Sequence, residues 1–311
     1  MNLQKLIQQY LNHRRSLGWQ PPPHGGRIGA FGRFVGPNVD ITDVNLRQVE
    51  AFLVGKGSVT VTWHTKFSTL RSFYRYAVSR GYVASAPLPT VMPQRPRSFT
   101  PYIYSHEELR RLLGAVPSVR QSWCSVEPGT MRTVLLLLYG AGLRLGEAIN
   151  LDGSDIDWNE AVMTIRNSKF NKTRAVPFGQ QLGGVLAEYA QNRTPPIEGQ
   201  FFTTRSGGRL NNQLIQNYFS ILRRRVSVHR IGGGRFQPRL HDLRHTFAVH
   251  RLTSWYLQGA DVQRLLPQLS TYLGHVSIQA TQVYLTMTPE LLHEAGKRFE
   301  EYARQEEHHE G

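Results

Sequence analysis

The chain has 311 residues, with 37 lysines and arginines against 22 acids, a formal net charge of +15 and a sequence pI near 10.3. A chain longer than about 250 residues favours two domains over one core. The positive excess favours a polyanionic partner such as nucleic acid; a basic protein without such a partner is the alternative. A single cysteine, Cys124, excludes an internal disulfide and fits a reducing compartment.

The sequence also bears on the compartment. No run approaches the roughly 18 consecutive apolar residues of a membrane span, and the first residues lack the charged-then-apolar pattern of an export signal. We therefore expect a cytoplasmic protein with no membrane partner, associated with the nucleoid if DNA is its partner.

The N-terminal third is the most basic part of the chain. Residues 1–96 hold twelve lysines or arginines and three acids, a net of +9, which leaves +6 for the remaining 215 residues. Apolar residues recur there at helical spacing, and this periodicity predicts four helices at 3–17, 27–35, 43–54 and 58–80. We predict a helical DNA-binding domain over residues 1–88.

The fourth predicted helix combines an apolar stripe with a basic flank. The stripe is Trp63, Phe67, Leu70, Tyr74 and Ala77, which we expect to lie in the core. The flanking basic residues are Lys66, Arg71 and Arg75. A solvated helix face would normally mix both signs of charge, whereas no acid occurs between Glu50 and Glu107. We therefore predict that this flank contacts DNA phosphates.

A proline-rich segment follows. Residues 87–101 contain five prolines together with Arg95 and Arg97, a composition that disfavours helix and central strand. We predict an extended basic linker over residues 89–104. Ser105 and Glu108 have the spacing of a helix-capping box, and this motif indicates that a second domain, residues 105–311, begins there.

The second domain is predicted to be mainly helical with one strand pair. Strands at 161–166 and 174–178 are joined by a polar turn. The predicted helices are 131–139, 182–191, 212–225, 241–258, 261–273 and a final one at 289–304 that begins at Pro289. The fold class is therefore mainly α with a small antiparallel sheet.

Several residue pairs in this domain could carry chemistry. Arg144 and Glu147 lie three residues apart, which suits a buried structural ion pair or an anion site. His241 and Arg244 share a helix face, and Lys169 lies in the strand-connecting turn. His275 follows a glycine, and Tyr284 comes nine residues later. Each alone has a structural explanation, but together they supply what attack of a tyrosine on a phosphodiester requires.

In this combination the chain resembles the tyrosine recombinase, or phage integrase, family. The segments that carry the resemblance are GAGLRLGEAINL, SKFNKTRAVPF, HDLRHTFAVH and LGHVSIQATQVY. The resemblance implies a two-domain C-shaped clamp, with a helical core-binding domain and an α+β catalytic domain. It also implies double-stranded DNA as partner, a homo-oligomer that forms a synaptic tetramer, and no cofactor, metal or ATP. In the family the final helix docks on a neighbouring subunit; packing on its own domain is the alternative.

The resemblance assigns a role to each candidate. Arg144 and Arg244 would clamp the scissile phosphate, with Glu147 in support, and Tyr284 would be the nucleophile. His241 would assist removal of its proton and His275 would bind the phosphate. Lys169 would protonate the leaving 5′ oxygen, although Phe170 stands where many relatives have glycine and leaves Lys172 as an alternative. The DNA-contacting residues would be Lys66, Arg71, Arg75, Arg95, Arg97 and Lys172.

The predicted function is site-specific DNA recombination through a 3′-phosphotyrosyl intermediate and a Holliday junction, in a mobile-element integrase. Three alternatives stay open: a type IB topoisomerase, an Xer-type enzyme that resolves chromosome or plasmid dimers, and a non-catalytic DNA-binding module. The set of candidate catalytic residues argues against the last. The N-terminal clamp and the final helix favour a recombinase over a topoisomerase.

Overall fold

The computed structural model describes residues 1–19, 25–55, 61–94, 100–119, 124–166, 173–193, 199–231 and 237–287, with His293 and Gly296. The chain divides into two compact units, residues 1–99 and 100–311. Within the described stretches, no helix is both long and apolar enough to cross a membrane. The predicted final helix at 289–304 lies almost wholly outside them.

The N-terminal unit contains the four predicted helices. They are α1 (Leu3–Ser16), α2 (Gly26–Val35), α3 (Leu46–Val54) and α4 (Val61–Ser79). Helix α3 begins later than predicted because Asn45 and Gln48 form a capping box, in which each side chain accepts the other residue's backbone N–H. The predicted start of the fourth helix, at 58–60, lies outside the described residues.

The apolar stripe of α4 forms much of this unit's core. Trp63, Leu70, Tyr74 and Ala77 are buried, and Phe67 is partly buried with its ring stacked on Trp63 at 5.3 Å. The prediction of a core-facing stripe is confirmed. Full burial of an apolar side chain of this size stabilises a fold by about 1.5–3 kcal/mol, so this face of α4 is a main source of the unit's stability.

The C-terminal unit is mainly helical with one small sheet. Its elements are α5 (His106–Ala115), α6 (Pro128–Gly140), α7 (Leu145–Ile149), β1 (Ile156–Asp157), β2 (Val162–Ile165), β3 (Arg174–Pro177), α8 (Gln180–Gln191), α9 (Asn212–Arg225), α10 (Leu240–Leu257), α11 (Val262–Leu273) and α12 (Gln279–Gln282). The predicted capping box of Ser105 and Glu108 begins α5. Short 3-10 turns include Val283–Thr286, which follows α12 directly.

The sheet is antiparallel in the order β1–β2–β3. Met163 pairs with Ile156 on one side and with Val176 on the other. The predicted strand pair is confirmed; β1 was not predicted, because two residues are too few to show an alternating pattern. The turn between β2 and β3 falls at residues 167–172, outside the described part of the chain.

Helix α6 is central to the C-terminal unit and packs against α7, α8 and α10. One apolar cluster surrounds it, and a second is formed by α10, α11 and the turn that carries Tyr284. The mainly α fold class with a small antiparallel sheet is therefore confirmed. The second cluster holds α10, α11 and the turn that carries Tyr284 together.

Candidate active site

Arg144 lies at the turn between α6 and α7 and reaches across to the turn after α11. Its Nη1 donates to Glu147 Oε1 at 2.7 Å, and its Nη2 donates to the carbonyl oxygen of Gly274 at 2.9 Å. Gly274 ends α11 with a left-handed φ of 66° and directly precedes His275. One guanidinium thereby joins two loops that are 130 residues apart in sequence.

Glu147 is held by two arginines. Its side chain is only 6% exposed, and beside the bond from Arg144 it accepts hydrogen bonds from Nη1 and Nη2 of Arg174 at 3.0 and 2.9 Å. Burial by itself raises the pKa of this carboxyl, but the hydrogen bonds from Arg174 and Arg144 outweigh it and lower the pKa to about 2. Glu147 is therefore ionised at neutral pH and orients both guanidinium groups.

Arg244 is almost fully buried, with 1% of its surface exposed. Nη1 donates to the carbonyl oxygen of Gly142 and Nη2 to that of Leu273, each at 2.5 Å. Gly142 has a φ of +59°, and a Cβ there would lie 2.5 Å from the ring of Phe247. Burial, with help from the charge of Arg144, lowers the pKa of Arg244 to about 10, so the group stays cationic at neutral pH.

His275 is oriented by a buried hydroxyl. Its Nδ1 lies 2.7 Å from Oγ1 of Thr281, a residue of α12 with no exposed surface. Burial, followed by the charges of Arg244 and Arg144, lowers the pKa of His275 to about 4. The ring is thus neutral at pH 7 and carries one proton, on one of its two nitrogens.

Tyr284 belongs to the second apolar cluster and is 2% exposed. Its hydroxyl lies 3.0 Å from Nδ1 of His245, which is on α10. Burial raises the pKa of this phenol, while the positive charges of Arg244 and Arg144 act in the opposite direction. The net shift is upward, so the hydroxyl is protonated in this state of the protein.

His241, the residue expected to assist this proton removal, lies one helical turn before His245. The two rings are 4.8 Å apart between centroids and nearly perpendicular, at 86°. His241 is exposed at the surface; partial desolvation by nearby protein, then the charges of Arg244 and Arg239, lower its pKa. Between these described residues, no hydrogen bond joins His241 to Tyr284; the Nδ1 of His245 lies within hydrogen-bonding distance of the phenol oxygen, and the ring of His275 lies 6.0 Å from that of Tyr284.

Three residues of this cluster were missed in the sequence: Arg174, His245 and Thr281. Two of them left a usable signal. His245 is four residues after His241 on one helix, and therefore on the same face. Arg174 shares a strand face with buried Val176, where a cation needs an acidic partner. Thr281 left none, because a threonine in a polar segment does not point to any one neighbour.

Four of the predicted site residues lie outside the described stretches: Lys169, Lys172, Arg95 and Arg97. Their roles stay predictions. In the described part of the chain, no group of three or more histidine, cysteine, aspartate or glutamate side chains is placed to hold a metal ion.

The predicted DNA contacts of α4 differ in their surroundings. The Lys66 ammonium donates to the carbonyl oxygens of Phe52 and Leu53, at 2.5 and 3.4 Å, and lies 4.7 Å from the centre of the Phe52 ring. It therefore caps the last turn of α3, a role that the sequence pattern did not indicate. Arg71 and Arg75 are exposed on α4.

Together, Arg144, Arg244, His275 and Tyr284 combine a protonated phenol with two permanent cations and a neutral imidazole. Fixed guanidinium donors suit the oxygens of a phosphate, because their planar forks can form paired hydrogen bonds. A phenol beside them is chemically competent as a nucleophile once its proton is removed. Attack of a tyrosine on a phosphodiester requires this set of groups.

The comparisons with known proteins agree. The profile of the phage integrase family matches residues 103–290. A Sinorhizobium fredii protein named provisionally as integrase/recombinase y4rB is 36% identical over 302 residues, which cover 94% of this chain and 96% of that protein. Tyrosine recombinase XerC of Pediococcus pentosaceus is 27% identical over 318 residues, 96% and 98% of the two chains. The chain belongs to the phage integrase family.

Solved structures show the same fold. The Tn1549 transposon integrase, solved with transposon right end DNA, superimposes with a TM-score of 0.69 at 15% identity and covers 97% of this chain and 100% of that one. Lambda integrase bound as a dimer to a core site gives a TM-score of 0.65 at 17% identity, with 92% and 78% covered.

Proposed function

We propose that this recombinase cuts and rejoins DNA through a 3′-phosphotyrosyl bond to Tyr284. The observation that carries the proposal is the position of Tyr284, whose ring lies 6.0 Å from that of His275 between centroids. His275 directly follows the Leu273 and Gly274 carbonyls that accept from Arg244 and Arg144 of the same chain. A phosphate bound by these two arginines would lie beside the phenol that attacks it. The chain would thus supply nucleophile and phosphate clamp together.

The contacts support the roles of the two arginines, and the remaining roles are those that the family resemblance implies. Arg144 and Arg244 would hold the non-bridging oxygens, since both are fixed by carbonyl acceptors before DNA arrives, and such preorganised donors stabilise developing charge without reorganisation. Glu147 would support them. His275 would donate to the phosphate and His241 would assist the proton transfer. Lys169, or Lys172 as the alternative, would protonate the leaving 5′ oxygen.

The bond energy is retained in this scheme. The Tyr284 oxygen replaces the 5′ oxygen on phosphorus, and the later attack of a 5′ hydroxyl reverses the exchange with the same number of ester bonds. Strand joining therefore needs no ATP. Because two arginines supply the positive charge that Mg²⁺ supplies in other phosphoryl transfers, we propose a reaction that proceeds without metal or other cofactor.

We also propose how the protein engages DNA. Arg71, Arg75, Arg95 and Arg97 would contact phosphates of the double strand, on the DNA of the cytoplasmic nucleoid. A synaptic tetramer would exchange strands through a Holliday junction, with residues 289–304 docked on the next subunit. Among the structural neighbours, lambda integrase binds a core site as a dimer and XerH binds its palindromic difH substrate, which supports assembly on DNA.

The biological task has two candidates. The likeness to y4rB and the fold shared with a transposon integrase support integration or excision of a mobile element. The likeness to XerC over nearly the whole chain supports resolution of chromosome or plasmid dimers as the second candidate. Plasmids with two copies of a site recovered by covalent capture distinguish integration from resolution: exchange between molecules fits integration, and exchange restricted to one molecule fits resolution or excision.

The test of the chemistry uses covalent capture. The full chain is incubated, with EDTA and without ATP, with a library of nicked duplexes randomised at the core, and DNA that stays on the denatured protein is recovered and sequenced. The enriched duplex should give a slow-migrating band on a denaturing gel with the parent chain and none with Tyr284→Phe. An equal band from the variant would exclude Tyr284 as nucleophile.

A further inference from the structure

The hydroxyl of Tyr284 already has a partner that the family resemblance did not assign. His245 Nδ1 lies 3.0 Å from it, the length of an ordinary hydrogen bond. The two ring centroids are 5.5 Å apart and the planes are inclined at 56°. Both side chains are at least partly buried. Because both residues belong to one chain, the contact forms without a second subunit.

The direction of this hydrogen bond depends on which ring nitrogen of His245 carries the proton. Burial lowers the pKa of His245 to about 3, and His241, Arg239, Arg244 and His275 add to the effect. The ring is therefore neutral at pH 7, whereas the buried phenol keeps its proton. If the phenol donates to Nδ1, the ring proton of His245 is on Nε2 and Nδ1 can take the phenol's proton; in the opposite tautomer Nδ1 would itself be the donor.

We propose that His245 is the proton acceptor for the Tyr284 nucleophile, a role that rests on the proposed phosphotyrosyl chemistry. The Tyr284 proton moves to Nδ1 of His245 as the phenolate oxygen forms its bond to phosphorus. The bond from phosphorus to the 5′ oxygen breaks, and that oxygen keeps the electron pair and takes a proton from the acid assigned to Lys169. On strand joining, the His245 imidazolium returns its proton to the tyrosine oxygen.

The surroundings of His245 tie this step to DNA binding. In the free protein, an imidazolium at position 245 would face the positive charges of Arg239 and Arg244, so proton transfer is disfavoured. A phosphate bound between Arg144 and Arg244 adds negative charge there and offsets this repulsion. The nucleophile would thus be activated when its substrate is in place and stay a protonated phenol otherwise.

The test compares His245→Asn and His245→Ala with the parent in single-turnover cleavage of the selected nicked duplex. Asparagine keeps an acceptor near the position of Nδ1 but cannot take a proton. Both variants should cleave about 100-fold more slowly, the range of a lost general base. His250→Asn is the matched control, because it makes the same change on α10 at a residue that bonds Tyr139 outside the site, and it should cleave like the parent.

A second measurement separates proton transfer from positioning. A fluorinated tyrosine at position 284 has a more acidic phenol and depends less on a base, so it should restore most of the lost rate in His245→Asn. If the fluorinated tyrosine does not restore the rate lost in His245→Asn, His245 only positions the ring of Tyr284. If His245→Asn cleaves at the parent rate, the proposal is overturned outright. Absence of a covalent band from the parent itself would instead contradict the proposed function.

A third measurement leaves His245 unchanged and so does not depend on how its variants fold. ¹⁵N spectra of histidine-labelled parent protein, compared with His245→Asn for assignment where that variant folds or with Tyr284→Phe otherwise, report which ring nitrogen carries the proton. We expect Nε2–H with an unprotonated Nδ1 at neutral pH. The opposite tautomer would overturn the proposal, since Nδ1 could then accept nothing from Tyr284.

Discussion

The carboxylate of Glu147 accepts hydrogen bonds from both terminal nitrogens of Arg174, a residue of β3 that comes 27 positions later in the chain. The same carboxylate accepts hydrogen bonds from the guanidinium and the backbone N–H of Arg144. One buried acid therefore satisfies two guanidinium groups, and its charge opposes the repulsion between them. This arrangement has consequences for stability as well as for the site.

The first prediction concerns acid stability. The pKa of Glu147 is about 2 in the folded state and about 4.3 in an unfolded chain, so folding favours the ionised form. Its contribution, on the order of 3 kcal/mol, is present above about pH 4.3 and is lost as pH falls towards 2. In urea unfolding, the stability difference between parent and Glu147→Gln should therefore shrink as pH is lowered from 7 to 3.

The matched control for this series is Glu107→Gln. Glu107 pairs with Arg110 at the surface, where its side chain is 62% exposed, and such pairs add little to stability. Its difference from the parent should be small at every pH. Parallel curves for the parent and Glu147→Gln would show that ionisation of Glu147 does not stabilise the fold.

Local sequence patterns were sufficient for much of the fold. Apolar periodicity located the four helices of the N-terminal unit, and the Ser105 capping box marked the start of α5. These features depend on residues three or four apart. The bond between His245 and Tyr284 spans 39 residues, and that between Glu147 and Arg174 spans 27. No local pattern records such pairs, so the site's groups and the pair of Arg144 with Glu147 were predictable by motif, whereas the partners distant in sequence were not.

The second prediction concerns the close approach at Gly142. A methyl group there would meet the Phe247 ring at 2.5 Å and the Leu273 side chain at 2.9 Å, on a backbone with positive φ. Gly142→Ala should lower the free energy of unfolding by about 2–4 kcal/mol, as overpacking adds to backbone strain. It should also displace the carbonyl oxygen that accepts from Arg244 and thereby slow covalent complex formation.

Gly184→Ala in α8 is the comparison for this variant. A Cβ at Gly184 meets no atom within 4 Å, and its φ is not positive. Alanine at such a helical position is expected to stabilise the fold by about 0.4–1 kcal/mol. Equal melting temperatures for the two variants would mean that the contact with Phe247 relaxes at no cost.

The third prediction separates the basic residues of α4. Arg71 and Arg75 are exposed, and if each neutralises one phosphate, its replacement by alanine should reduce the slope of log affinity against log salt by about 0.9. Lys66→Met should instead lower the stability of the N-terminal unit by about 1 kcal/mol, because the carbonyls of Phe52 and Leu53 lose their donor. Its salt slope should change less than that of the arginine variants.

These slopes can be measured by fluorescence anisotropy with a labelled duplex of arbitrary sequence, because phosphate contacts do not depend on base sequence. Urea unfolding reports the stability change. A Lys66→Met variant with parental stability and a slope reduced like that of Arg71→Ala would place the ammonium on DNA rather than on α3.

The last prediction concerns the tautomer of His275. At neutral pH this ring is uncharged, so its Nδ1 and Nε2 share one proton. If Thr281 Oγ1 donates to Nδ1 across the 2.7 Å contact, the proton must be on Nε2, where it can be offered to a phosphate oxygen. Thr281→Val keeps the buried volume and removes the donor. In a fraction of the molecules, His275 should then carry its proton on Nδ1 or its ring should rotate away from this position.

We expect Thr281→Val to form the covalent complex about tenfold more slowly, equivalent to about 1.4 kcal/mol, the size of one neutral hydrogen bond. Thr281→Ser restores the hydroxyl and should return most of the rate, although it removes a buried methyl group. A stability defect would depend on the buried methyl group, so Thr281→Val should be more stable than Thr281→Ser in urea unfolding. An orientation defect would depend on the hydroxyl, so Thr281→Ser should form the covalent complex faster than Thr281→Val. A valine variant as fast as the parent would show that Thr281 does not set the state of His275.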